Sequence, residues 1–123
     1  MNYLSLKDLN CYKVSFELSN YVWEIVIAWD YFIKDTIGKQ FVRSIDSVSA
    51  NIAEGFGRYH KKDKILFYRY SYGSIQESIS WIEKAKCRNL VSAEQYNKII
   101  SDLKVLPKEV NALIKFTNDK LKI

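Results

Sequence analysis

The chain has 123 residues, the size of one domain, and its 48% hydrophobic and 27% charged content excludes a disordered polymer. Four glycines and one proline are too few turn signals for a many-stranded β fold, so long helices are expected. A net charge of +5 leans toward an acidic partner without requiring one.

The first predicted helix covers about 9–33. Cys11, Val14, Leu18, Val22, Ile25, Trp29 and Phe32 recur three or four apart, a helical period. Tyr12, Phe16, Tyr21 and Trp23 add a second, aromatic face, more apolar surface than one small bundle can hide. Lys34-Asp35 ends this helix, and Thr36 is the expected N-cap of the next.

The second helix, about 36–58, has the apolar stripe Ile37, Phe41, Ile45, Val48 and Ile52, with Gly57 as an expected left-handed ending. Beside the stripe runs a polar row, Ser44, Ser47, Asn51, Glu54 and Arg58, spaced 3, 4, 3, 4. A solvated face would carry long flexible charges throughout, whereas serine and asparagine fill three of the five places in this row. The reading preferred here is a hydrogen-bonded layer against another helix, with Arg58 neutralising Glu54. A mid-helix Gly55 supports it, because close helix approach compensates the helix-weakening effect of glycine.

The third helix, about 62–89, has a strict seam of Ile65, Tyr68, Tyr72, Ile75, Ile79 and Ile82, as in coiled-coil-like bundles. A neighbouring seam of Phe67, Ser71, Ser74, Ser78, Trp81 and Ala85 is mostly small and admits a close neighbour. Gly73, Ser74 and Glu77 are the expected counterpart of the polar row. Gly55, Gly57 and Gly73 are taken together as close-packing positions.

The fourth helix, about 93–121, begins with a capping box from Ser92 to Gln95. Its stripe is Ile99, Leu103, Leu106, Val110 and Leu113. Pro107 inside the stripe predicts a kink, with two separate helices as the alternative. The expected fold is therefore all-α, an antiparallel up-down four-helix bundle over residues 1–123.

A catalytic reading meets chemical obstacles. The single histidine, His60, cannot supply the two histidines of a di-iron site, and among Arg58, Lys61 and Lys62 it reads as a solvated basic residue rather than a base. Glu54 and Glu77 could form a carboxylate pair, but no nucleophile or metal ligand accompanies them. No catalytic residue, metal or cofactor is expected. Arg58, His60, Lys61, Lys62, Lys64 and Arg69 cluster around the second linker with Tyr59, Tyr68 and Tyr70. Cations neutralise phosphates and aromatic rings stack on unpaired bases, so this cluster is the candidate nucleic-acid contact. The alternative is a lysine-rich linker that is merely solvated.

The stretch from Ile37 to Arg58, IGKQFVRSIDSVSANIAEGFGR, followed by FYRYSYGSIQES from Phe67, resembles the four-helix-bundle proteins encoded by intervening sequences of bacterial 23S rRNA genes. The same fold group includes accessory variability proteins of diversity-generating retroelements. The resembling signature falls on Ser47, Asn51, Ile52, Glu54, Gly55, Gly57 and Arg58, and on Gly73, Ser74 and Glu77. The linker departs from the family pattern, with Tyr59-His60-Lys61-Lys62 where relatives often place a serine. The connection before Ile37 is also short. The resemblance implies a homo-oligomer, most often a pentameric ring, without established catalytic activity, and association with RNA or DNA. A protein partner that meets the aromatic first-helix face is the alternative.

The opening MNYLSLKDLN lacks a basic-then-apolar leader, and no uncharged run reaches the roughly 20 residues that span a bilayer. A cytoplasmic protein with no membrane partner is expected. Cys11 and Cys87 are then read as two reduced core thiols, with a disulfide as the alternative.

Overall fold

The computed structural model describes residues 4–123; the first three residues of the stretch read above for a leader lie outside it. Four long helices make the fold. A short 3₁₀ turn, Leu6–Asp8, leads into α1, Asn10–Val26. The second helix, α2, starts as Tyr31–Ile33, widens into a π-helical stretch at Lys34–Gly38, and continues as Lys39–Gly57. Then follow α3, Lys61–Cys87, and α4, Ala93–Lys120. Each helix packs on two others, α1 on α2, α2 on α3, α3 on α4 and α4 on α1, which closes the bundle.

The pairing is antiparallel throughout. In the α2–α3 pair, Ser44 meets Ser78 while Ser71 meets Val48. In the α3–α4 pair, Tyr96 meets Glu83 near one end while Lys61 meets Asn118 at the other. Asn10 Nδ2 at the start of α1 donates to both carboxylate oxygens of Glu109, just past the middle of α4, at 2.8 and 3.0 Å. The core runs along the bundle axis as Leu18, Val22, Phe41, Ile45, Val48, Ile52, Tyr68, Ile75, Ile82, Ile99, Leu103, Leu106 and Val110, all essentially without exposure.

The break between the first two helices falls earlier than expected. α1 stops at Val26, and α2 begins after Asp30, whose φ of −60° and ψ of 155° are those of an N-cap. Trp29 and Phe32 kept the helical spacing by coincidence: Trp29 lies in the turn, and Phe32 already belongs to α2. Thr36 is no cap. It sits inside the π-helical stretch, where its hydroxyl donates to Phe32 O at 2.7 Å and Ile33 O at 3.3 Å. Trp29 holds the turn by donating its indole N–H to Leu90 O at 3.1 Å.

α3 ends in a left-handed cap at Asn89, φ 58°. Leu90 N–H donates to Ala85 O and Asn89 N–H to Lys86 O, the two bonds of a Schellman ending. The α4 capping box forms, with Gln95 N–H on Ser92 Oγ at 3.1 Å and Ser92 N–H on Gln95 Oε1 at 2.9 Å. α4 runs unbroken through Pro107, so the two-helix alternative does not hold. Of the two free thiols, Cys11 is buried but Cys87, the last residue of α3, is exposed and is not a core residue. Burial, reinforced by Glu109, pushes the Cys11 thiol from 9.0 up to about 11.

Candidate nucleic-acid interface and the polar row

Among the described residues, the polar row of α2 makes a hydrogen bond to another helix at one end only. Ser44 is buried, and its hydroxyl lies 3.0 Å from that of Ser78 on α3. The next two members bond along their own helix: Ser47 Oγ donates to Arg43 O at 2.8 Å, and Asn51 Nδ2 to Ser47 O at 2.9 Å. Glu54 and Arg58 are exposed and pair with each other at 2.8 Å. The central carbon of the Arg58 guanidinium lies over the Phe67 ring of α3, 4.6 Å from its centre. The expected continuous interhelical layer is thus replaced by a row that grades from buried to solvated.

On α3, Ser74 is half-buried, and Glu77 is exposed. Glu77 accepts from Trp81 Nε1 at 3.1 Å and pairs with Arg43 at 3.5 Å, so it does not meet Glu54. The serines that join α2 to α3 are Ser71 and Ser78, both fully buried, with Ser71 Oγ donating to Val48 O at 2.8 Å. Both stand in the small seam of α3. Their mark in the sequence is two small residues seven apart on one face of α3.

The three glycines behave differently. A Cβ on Gly55 would lie 2.7 Å from the Tyr68 ring and 2.9 Å from Lys64 O, so the backbone there accommodates the ring of α3. A Cβ on Gly57 or Gly73 would meet nothing within 4 Å, so neither marks close packing inside the protein. Gly57 also has no positive φ, and α2 ends with Arg58 in an extended conformation.

The linker cations divide into occupied and available groups. Lys64 Nζ donates to Phe56 O at 2.7 Å and Gly55 O at 3.5 Å, which neutralises the carbonyl end of α2. Burial lowers its pKa from the ordinary lysine value. Arg58 is held by Glu54 and Phe67. The Lys61 ammonium donates to Asn118 O at 3.2 Å, and the Lys61 backbone N–H donates to Ile123 O. Lys62 and Arg69 are exposed and make no ion pair among the described residues. His60 is exposed beside Tyr59, ring edge to face at 5.1 Å.

Lys61, Lys62 and Arg69 line one groove of about 430 Å³ between the start of α3 and the end of α4. Ile65 and Leu66 give it apolar surface, Asn118 closes it from α4, and among the described residues Asp63 is the carboxylate that lines it. Such a groove can hold an anion against two or three cations and place an apolar or aromatic group on the leucine. Among the described residues, no group of three or more His, Cys, Asp or Glu side chains could hold a metal ion. No helix of the described residues is long and apolar enough to cross a membrane.

The sequence model of the 23S rRNA-intervening sequence protein family matches residues 7–112. Among solved structures, the chain is similar to a protein of unknown function from the S23 ribosomal protein family of Bacteroides thetaiotaomicron. The TM-score is 0.76 and the identity 23%, over 85% of this chain and 98% of that one. At that identity the likeness bears on the fold. No curated protein matches the chain.

Proposed function

The chain belongs to the 23S rRNA-intervening sequence protein family, and from that premise we propose that it is a non-enzymatic, homo-oligomeric scaffold or accessory protein that contacts nucleic acid or a nucleoprotein. The observation that carries the reading is the groove in which Lys61, Lys62 and Arg69 converge against one carboxylate. Cations on mobile side chains neutralise phosphates irrespective of base identity, so binding is weakly sequence-specific. Leu66, Tyr59 and Tyr70 are exposed nearby in the chain and suit unpaired bases better than a closed duplex. The resemblance to accessory variability proteins of retroelements belongs to this reading, as does assembly into a five-membered ring. In a ring, repeated weak contacts act together through effective concentration.

The experiment is binding of single-stranded RNA followed by fluorescence anisotropy across a salt series. The Lys61→Glu plus Lys62→Glu protein should bind far more weakly, with a salt slope smaller by about 1.4, the value for two phosphate contacts on a single strand. Unchanged affinity and slope would reject the groove.

A second reading rests on α1. Phe16 and Trp23 are about half exposed, 49% and 50%, and Ile27 stays exposed beyond them. That face suits a protein partner with no nucleic-acid role. A pull-down that survives nuclease and high salt would favour it over the first.

A further inference from the structure

α1 carries apolar surface that the bundle leaves open. Phe16 and Trp23 on the helix and Ile27 at its C-cap share a narrow arc of one face, and all three are exposed. Two hollows open along this stripe. Tyr12 and Phe16 line the first, of about 330 Å³. Trp23, Val26 and Ile27 line the second, of about 350 Å³, together with Gly38 and Val42 of α2. Gly38 lets α2 come in there, since a Cβ on it would lie 2.8 Å from Val26 Cγ1. Phe16 and Trp23 are two helical turns apart, which sets the hollows about 10 Å from each other along α1.

Charge is unevenly spread around them. Lys7, Lys13 and Glu17 edge the first hollow; Lys34, Lys39 and Arg43 edge the second. Lys7, Lys13 and Lys34 make no ion pair among the described residues. Lys39 and Arg43 are held by exposed pairs with Asp35 and Glu77, at 3.2 and 3.5 Å, and such pairs give way readily to another carboxylate. Among the described residues lining the two hollows, five cations face one carboxylate, so the surface is complementary to an acidic occupant. Asp46, one turn from Val42 toward the first hollow, is exposed and directs the occupant's carboxylates to its two ends.

Shape selects among acidic occupants. Val26, Ile27 and Val42 wall the second hollow with aliphatic groups, which suit a buried apolar side chain better than a sugar-phosphate strand. A second copy of the same face would bring the same cations and be repelled. A helix presents large side chains at i and i+7, two turns apart, which is the spacing of the hollows, and lays its apolar face into a groove through such anchors.

We propose that the α1 stripe receives an acidic amphipathic helix of a partner protein, with one apolar anchor in each hollow and carboxylates against the cations at both ends. The inference rests on the protein-partner reading of this face and is independent of the groove beside Lys61. The probe is a fluorescein-labelled, glutamate-rich helical peptide of about 18 residues with leucines at i and i+7, followed by anisotropy. It should bind about tenfold or more tightly than a peptide with leucines at i and i+5, which face different sides of a helix. Phe16→Ser, Trp23→Ser, and Lys13→Glu plus Lys34→Glu should each weaken it about tenfold, with helical circular dichroism unchanged. Lys61→Glu plus Lys62→Glu should have no effect. Should a serine variant lose helicity, the charge variant decides. Equal binding of the two peptides, or displacement by single-stranded RNA, would overturn the proposal. So would a fall in native mass for Phe16→Ser plus Trp23→Ser, which would assign the face to a contact between copies. The protein-partner reading fails separately. It falls if no nuclease- and salt-resistant capture occurs. It stands, without the acidic helix, if that capture is lost in Phe16→Ser plus Trp23→Ser while the two peptides bind alike.

Discussion

Ser44 Oγ and Ser78 Oγ lie 3.0 Å apart, both buried, and Ser44 also reaches Phe41 O at 3.1 Å. Two hydroxyls at a helix–helix contact satisfy one another where a larger side chain would hold the helices apart. Each was desolvated to get there; removing Ser44 leaves Ser78 without its partner, whereas removing Ser78 leaves Ser44 its bond to Phe41 O. Ser44→Ala should therefore cost about 1 kcal/mol in urea unfolding and Ser78→Ala less, and replacing both serines by alanine should cost less than the sum of the single changes. Strict additivity would mean that the pair contributes only as two small side chains.

The glycines give a prediction with opposite signs. Gly55→Ala places a methyl 2.7 Å from the Tyr68 ring and 2.9 Å from backbone oxygen, and the backbone cannot swing away as a flexible side chain can. It should lose about 1–3 kcal/mol. Gly73→Ala meets open space and should raise the stability of the isolated chain by about 1 kcal/mol, measured at a dilution where no assembly persists. Equal effects at the two sites would contradict the placement of Tyr68.

Alkaline pH should destabilise the fold in two steps. Burial, with Glu109, raises the Cys11 thiol from 9.0 to about 11; burial, with Cys11, raises the Tyr68 phenol from 10.0 to about 12. In each case the folded form holds its proton more tightly than the unfolded chain, so the neutral group contributes fully below the unfolded pKa. The contribution is lost as pH rises through the folded value. Thermal melts should be flat with respect to these groups below pH 9 and then fall. Cys11→Ala should remove the part of the fall that begins near pH 9 and leave the part that begins near pH 10. Two units correspond to about 3 kcal/mol per group at the limit.

Arg58 and Arg69 should separate in nucleic-acid binding. Arg58 is committed to Glu54 and the Phe67 ring, whereas Arg69 lies in the groove without an ion pair among the described residues. Arg69→Ala should weaken single-stranded RNA binding several-fold and lower the salt slope by about 0.7, one phosphate contact; Arg58→Ala should change neither. The exposed Glu54–Arg58 pair should also matter little to the fold, within about 1 kcal/mol by thermal melting.

The helices and their inward stripes were legible because a 3-4 apolar spacing has one physical cause, burial of a helix face. Ile75, Ile82, Leu103 and Leu106 were expected inside and are fully buried. The α1–α2 break was harder. Trp29 and Phe32 extend the same spacing across a turn whose only local mark is Asp30, while Thr36 carries an equally good cap side chain and spends it inside a helix. Spacing records angle around a helix and not depth along it, so the polar row looks uniform in the sequence. Its buried end meets Ser78 and its far end meets water. Glycine is the least legible residue of all: the letter is the same whether a tyrosine ring sits on it, as at Gly55, or nothing does, as at Gly57.

Leu90 is engaged on both sides of its peptide. Its N–H closes the end of α3 on Ala85 O, and its carbonyl takes the indole proton of Trp29. Trp29 belongs to the N-terminal hairpin and Leu90 to the C-terminal one, so a single bond latches the tips of the two halves together. Exchange of a hairpin between neighbouring copies, a hazard for any protein built as two antiparallel pairs, must first undo that latch. Trp29→Phe keeps an aromatic ring and deletes the proton, so it should speed hairpin exchange between native copies at high concentration, read as the rate at which domain-swapped dimers appear.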